Sequence, residues 1–261
     1  MFTPRRSLAS RSHADDVVGL AQTIAALTGL HLEGVFAHLS HGDVPGHETL
    51  ERQCATLRQV AGALRKTHPD LMVHLQNSGG AFHIQGCELD MARVGIALYG
   101  LQPSMRDPIP TLQPIARLIA PILAVHERPA GIGVGYGHTF VTQRTTRLAI
   151  VPVGYADGYP RALSNCGFVQ IRGHEAPVVG RVSMDQIIVD STDVWGAAVG
   201  DQVVVMSWDP HDRNCVDAIA EATGTIGYEI ATGFGSRLQR VVVDGRLSSR
   251  VQGNCRHESA Y

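Results

Sequence analysis

The feature that most constrains this chain is a change of pattern at residue 103. Four prolines crowd into Pro103 to Pro114 (PSMRDPIPTLQP). Proline removes a backbone donor and cannot continue a helix or a central strand. Before this segment, short apolar runs alternate with stretches of helical spacing. After it, short β-rich runs are broken by glycine. The chain therefore predicts an α/β part over residues 1–103, a linker over 104–114, a mainly β domain over 115–247 and a frayed polar tail over 248–261.

In the first part, Val17, Leu20, Ala21, Ile24 and Leu27 repeat at helical spacing behind Asp15-Asp16, with Gly29 as a stop. Leu32 to His38 reads as a strand, His47 to Lys66 as a second helix, and Leu71 to Gln76 and Arg93 to Tyr99 as two more strands. Strands separated by helices predict parallel βα units. A closed eight-stranded α/β barrel takes roughly 250 residues. The roughly three or four βα units here cannot close one, so the expected fold class is α/β plus β: an incomplete α/β barrel, then a β domain. In that domain LAIVPVGY, FVQIRG, APVVGRVSM, QIIVDS and DQVVVMS are strand-like. One helix is expected at Val216 to Ala222 and a last strand near Arg240 to Val243.

Composition narrows the partners. A net charge of -2 gives no bulk attraction to nucleic acid or to an acidic membrane surface. No apolar run has the length of a membrane span or signal peptide. Residues 1–12 are basic, but no apolar stretch follows, and this N-terminus reads as an interior piece of a longer fold. The 5 cysteines are odd in number and contain no C-x-x-C pair, so no disulfide framework and a reducing cytoplasm are expected. Among the 22 basic residues the one lysine is Lys66.

Several short motifs carry chemistry. His38, His41, Asp43 and His47 include metal-ligating types, but Gly42, Pro45 and Gly46 leave no helical face to arrange them. A solvated loop with one functional histidine and no metal is the preferred reading. In VHLQNSGG, Asn77 and Ser78 stand at a strand end before two glycines, a pattern that offers backbone donors to a phosphate; a plain turn is the alternative. Arg93 opens an apolar run, and a buried arginine calls for an acceptor. A structural ion pair is the other use of such an arginine. Tyr136 lies between glycines in GVGYG. Tyr155 lies in VPVGYADGYPR, Met184 and Asp185 in VVGRVSMDQ, and Tyr228 in TIGYEI.

The order of these motifs (EGVFAHLSHGD, NS, R-x-GIALYGL-x-PS, VGYG, GYADGYPR, GR-x-SMDQ, YEI) resembles the alanine racemase family from about residue 14 to 243. The resemblance implies a pyridoxal 5'-phosphate (PLP) enzyme that interconverts L- and D-alanine and supplies D-alanine for peptidoglycan. It implies a barrel plus β domain in a head-to-tail homodimer. The cofactor phosphate is expected on Ser78, the Gly95 and Ile96 backbone and Tyr228, with Asn77 alongside. Arg93 is expected at the ring nitrogen, buffered by His74, with His38 orienting the catalytic tyrosine. Tyr136 corresponds to that tyrosine, donated across the dimer. Met184 and Asp185 are expected at the substrate carboxylate and Tyr155 at the entrance.

The chain departs from the family in one respect. The string around the lysine that binds the cofactor covalently is not found, and arginine cannot replace it. A shortened and impaired racemase is the first expectation. The alternatives are a non-catalytic module that binds PLP or pairs with a complete subunit, and a serine or broad-specificity relative. A metal enzyme built on His38, His41 and His47 is the reading from a different class.

Overall fold

The computed structural model describes residues 11–87 and 89–243. The expected tail over 248–261 lies outside the described residues.

Helix α1 (Arg11–Ala26) begins ahead of the expected Asp15-Asp16 start. Strand β1 (Gly34–Phe36) follows, then α2 (Glu48–Leu64), β2 (Met72–His74) and the short α3 (Ser78–His83). Helix α2 starts where the sequence caps it. The His47 side chain accepts from the Thr49 amide, and Glu48 and Glu51 stand in the first turn, where the helix dipole favours negative charge. Its buried Leu50, Cys54, Leu57, Ala61 and Leu64 recur at helical spacing and form one face. That face packs on Val73 and Leu75 of the β2 strand and its extension, both fully buried.

Strands β1 and β2 pair in parallel, with Phe36 opposite His74 and Gly34 opposite Met72. Alternation sends Val73 to the helix side and Met72 and His74 to the other face. Gly34 permits the close approach, since a Cβ there would sit 2.7 Å from the Met72 carbonyl oxygen.

The third strand differs from expectation. The strand contact comes earlier, at Asp90 to Arg93. The Asp90 amide donates to Val73 at 3.0 Å, His74 bridges Met91 in parallel, and the Arg93 amide donates to Gln76 at 2.8 Å. Ile96–Tyr99 is instead a 3-10 turn. Four apolar residues are too few for periodicity to separate a strand from a helical turn. Gly100, in the left-handed region at φ 69, closes that turn; a Cβ there would meet the Gln113 carbonyl oxygen at 1.7 Å.

A disulfide joins Cys54 of α2 to Cys87, with their Cα atoms 6.2 Å apart. This departs from the expectation of a reduced chain. Counting cysteines and looking for C-x-x-C is blind to a pair 33 residues apart that the fold brings together.

The β domain contains β3 (Leu118–Pro121), β4 (Ala124–Arg128), β5 (Gly133–Val134), β6 (Phe140–Val141), β7 (Thr146–Val151), β8 (Phe168–Ile171), β9 (His174–Pro177), β10 (Ile187–Asp190) and β11 (Gln202–Met206). Two antiparallel sheets, ordered β10-β7-β4 and β3-β11-β8-β9, enclose one large core, and β5-β6 is a separate hairpin. Helices α4 (Val216–Thr223) and α5 (Gly227–Gly233) follow. Helix α5 was not expected, because its glycines obscure any apolar stripe. The expected strand near Arg240 to Val243 is absent among the described residues. Val241 and Val242 are exposed there and pair with no strand.

The two parts are joined by packing as well as by the chain. Ile96 and Leu101 enter the β-domain core, and the Ile115 amide donates to the Tyr99 carbonyl at 3.1 Å. Among the described residues no helix is long and apolar enough to cross a membrane.

Candidate active site

Arg93 organises the open face of the parallel strands. Its Nη1 lies 2.7 Å from His74 Nδ1 and its Nη2 3.3 Å from His38 Nδ1. Nη2 also donates to the carbonyl oxygens of Ala37 at 2.9 Å and Leu75 at 3.4 Å. A guanidinium only donates, so both histidine Nδ1 atoms accept and carry no proton. Burial, then the Arg93 charge, lowers the pKa of both His38 and His74. Both rings are therefore neutral at neutral pH, and Arg93 is the one cation of the cluster. Burial also lowers the Arg93 pKa, but a guanidinium is so strong a base that it keeps its proton against a weak one. Its Nε–H makes no hydrogen bond among the described residues.

Four or five residues downstream of β2, a second set of donors gathers. The buried Ser78 hydroxyl accepts from the Gly95 amide at 2.9 Å and from the Ala97 amide at 3.4 Å. The Ile96 N–H between them has no partner among the described residues. Asn77 uses its side-chain oxygen to cap α3, accepting from Gly80 at 2.9 Å. Its part here is to fix where Ser78 stands. Gly42 packs against Asn77 and Gly79: a Cβ on Gly42 would lie 2.3 Å from Asn77 Oδ1, and one on Gly79 2.1 Å from the Gly42 carbonyl oxygen. Tyr228 stands at the start of α5 with Asp43 close by. Burial, then the neighbouring Asp43 carboxylate, raises its pKa, so its hydroxyl keeps its proton and can donate. The arrangement offers one guanidinium and a group of neutral donors, which suits a ring nitrogen and a phosphate.

A third set lies on the β domain. Tyr136 stands on the β5-β6 hairpin, 72% exposed, between Gly135 and Gly137, both in the left-handed region. Both glycines lie against Arg181. Met184, 57% exposed, holds the Ala156 amide through its carbonyl oxygen at 2.8 Å, and Ser183 holds the Tyr155 amide at 3.1 Å. Asp185 is exposed beside them. Tyr155, Met184 and Asp185 thus stand together, with the Tyr136 turn against nearby Arg181. The structure joins Arg93, His38 and His74 in one group and Ser78 with the Gly95 and Ala97 amides in a second, and it gives no contact between either group and Tyr136.

The histidine loop has a different use. The His41 and His47 rings stack with centroids 3.8 Å apart, and both Nδ1 atoms bond to the Thr49 hydroxyl. His38 turns away to Arg93. Among the described residues no three His, Cys, Asp or Glu side chains are placed to hold a metal ion. Lys66 is exposed in the turn after α2 and is not part of the Arg93 group.

Phe36 was missed by sequence reasoning. Its ring stacks on His74 with centroids 5.0 Å apart and 7° between planes, and the Arg93 guanidinium carbon lies 5.0 Å from its centroid. The available signal was the alternation in Phe36-Ala37-His38 along a strand opposite His74.

Residues 12–103 match the family model "Alanine racemase, N-terminal domain", and residues 115–242 match "Alanine racemase, C-terminal domain". The alanine racemase of Halothermothrix orenii is 39% identical over 228 residues, which is 86% of this chain and 60% of that protein. That of Desulfovibrio desulfuricans is 39% identical over 232 residues, 88% of this chain and 62% of that protein. The crystal structure of alanine racemase from a D-cycloserine-producing Streptomyces lavendulae superposes with a TM-score of 0.81 at 34% identity, covering 90% of this chain and 63% of that one. An alanine racemase from Bartonella henselae with covalently bound pyridoxal phosphate gives 0.75 at 34% identity, covering 90% and 62%. The chain spans about 60% of the length of the curated relatives it matches.

Proposed function

The chain belongs to the alanine racemase family, and from that premise we propose that it serves the PLP-dependent interconversion of L- and D-alanine. The product would be D-alanine for peptidoglycan. The observation that carries this reading is the Arg93 group. A guanidinium fixed by two neutral histidines, with its Nε–H left over, fits a pyridine nitrogen that is to stay unprotonated. The Ile96 amide, Ser78 and the Tyr228 hydroxyl fit the phosphate. When bound, PLP supplies an electron sink for the pair left on the α-carbon. Arg93 withholds a proton from the ring, which keeps that sink shallow and favours return of the α-proton over side reactions. Tyr136 holds the proton on one face at its phenolic oxygen. Met184 offers its N–H, unpartnered among the described residues, to the substrate carboxylate, with Asp185 beside it. Tyr155 narrows the approach.

Two features shape the reading further. First, Tyr136 is exposed and out of contact with Arg93, which favours donation to a second subunit in a head-to-tail dimer. Second, the α/β part is read as an incomplete portion of the barrel, over residues 1–103 ahead of the 104–114 linker. A two-base racemisation also needs a lysine on the opposite face, and exposed Lys66 does not stand in that place. These residues, then, supply donors for the cofactor ring and phosphate and one base, and the second base is not among them. In trans, they complete another subunit's site.

The test uses a full-length alanine racemase whose own catalytic tyrosine is changed to alanine. Adding this chain is expected to restore racemisation, and the Tyr136→Phe chain is expected not to. Equal rescue by both would remove Tyr136 from its assigned role. In a parallel assay, PLP should titrate onto the wild-type chain, while borohydride leaves no cofactor on Lys66. Failure to bind PLP, or a stable adduct at Lys66, would overturn the reading of the Arg93 group.

A further inference from the structure

We infer that Phe36 is a positioning residue: its ring is the platform that holds the Arg93 guanidinium and the His74 imidazole in one fixed arrangement. This deepens the reading of the Arg93 group as the cofactor-ring site and rests on it.

Phe36 and His74 are paired residues of the parallel β1-β2 ladder, so their side chains leave the sheet on the same face. Their rings lie nearly parallel, 7° apart, with centroids separated by 5.0 Å. The stack sets the plane of the imidazole, and with it the direction of the Nδ1 lone pair that accepts from Arg93 at 2.7 Å. Arg93 meets the same ring through its guanidinium carbon at 5.0 Å. The ring face is negative, so it attracts the cation without taking a proton or offering a competing hydrogen bond.

No other described contact does this work. The Ala37 and Leu75 carbonyls fix one end of the guanidinium, at Nη2, and leave it free to pivot. His38 meets the same Nη2 atom. His74 and Phe36 together stop the pivot and so fix where the Nε–H points. The ring also keeps water from one side of His74. The charged group facing His74 is Arg93, and the other titratable group on that guanidinium is His38.

The experiment compares three changes at one position. Phe36→Leu removes the ring. Phe36→Tyr keeps it. Incorporation of pentafluorophenylalanine keeps its size but reverses the charge of its face. The first readout is the His74 titration by NMR in the cofactor-free protein, which a merely structural role would leave unmoved in a folded variant. Phe36→Leu should return His74 toward the ordinary histidine range, and Phe36→Tyr should not. The second readout is PLP affinity, expected to weaken about two- to fivefold in Phe36→Leu and in the fluorinated protein, with rescue in Phe36→Tyr. If Phe36→Leu fails to fold, the fluorinated protein decides through PLP affinity. Unchanged His74 titration in folded Phe36→Leu, or unchanged affinity in the fluorinated protein, would overturn the proposal. A wild-type chain that binds no PLP would sink the cofactor reading instead, while the titration would still decide the role of the ring.

Discussion

The two parts of this chain are held together in different ways. The β domain closes a single large core between two sheets, running from Ala149 and Val151 through Val169, Ile171 and Val203 to Ile230. The α/β part has two small cores on the helix side of its strands, around Leu57 and Leu75 and around Leu64 and Leu71. Its other strand face carries Phe36, Met72, His74 and Met91 and is not covered by described residues. The proposed chemistry needs that open face, because Arg93 and both histidines stand on it. One part is stable through burial. The other gives up burial to present donors and leans on a disulfide and on the Ile96–Leu101 segment inserted into its neighbour.

The largest expected effect tests whether the parts unfold separately. Ile171→Ala, at a fully buried site, should cost the β domain about 2–5 kcal/mol. Leu75→Ala, also fully buried, should cost a similar amount in the α/β part. Both tryptophans, Trp195 and Trp208, lie in the β domain, so their fluorescence follows that domain. Ile171→Ala should shift the fluorescence transition strongly and Leu75→Ala weakly. Equal shifts would show that the inserted segment welds the two parts into one cooperative unit.

Reduction of Cys54–Cys87 comes next. Closing a loop of this length is worth about 2–4 kcal/mol by restricting the unfolded chain. Cys54→Ser should therefore lower amide-exchange protection at Val73 and Leu75 while leaving the tryptophan transition in place. Loss of protection in β7 or β11 as well would contradict the division of labour between the parts. A smaller effect of opposite sign is expected inside the β domain. The Tyr159 hydroxyl is buried without a hydrogen-bond partner among the described residues, and burial pushes its pKa well up. Tyr159→Phe removes that unpaired group and should raise the β-domain midpoint by about 1 kcal/mol. A loss of stability there would mean that the hydroxyl is satisfied in solution by bound water.

Much of this was legible in the sequence because the relevant signals are local. The switch at Pro103, the α2 stripe and the apolar runs of β7, β8, β10 and β11 each follow from residue spacing. Arg93 was legible as a charge in an apolar run, which has to find acceptors. What stayed hidden depends on pairing across the fold. Nothing near Cys54 points to Cys87. Phe36 looks like any apolar strand residue until the parallel register places it beside His74. The IALY turn and α5 are too short for a period to declare itself. The use of His41 and His47 to flank Thr49, rather than a metal, depends on how the 41–47 loop folds back.

The smallest expected effect is a dependence on pH confined to the α/β part. His38 and His74 both have folded pKa values below the ordinary 6.5, through burial and then the Arg93 charge. The unfolded chain therefore binds more protons than the folded chain just below pH 6.5. By linkage, their contribution to stability is complete above the unfolded value and is lost as pH falls through the folded values. Asp90 acts in a lower window. The Val73 amide and the Arg65 guanidinium hold its carboxyl below the usual 3.8, so its contribution is present above that value and goes only in stronger acid. His38 is exposed and His74 only half-buried, so screening keeps their effect modest. Denaturant titrations at about pH 7.5 and 5.5 should show the α/β part weakening while the tryptophan transition holds still. The His74→Phe change should flatten that slope. A slope that survives in a His38→Phe, His74→Phe chain would place the titrating group elsewhere and detach the neutral histidines from the account of Arg93.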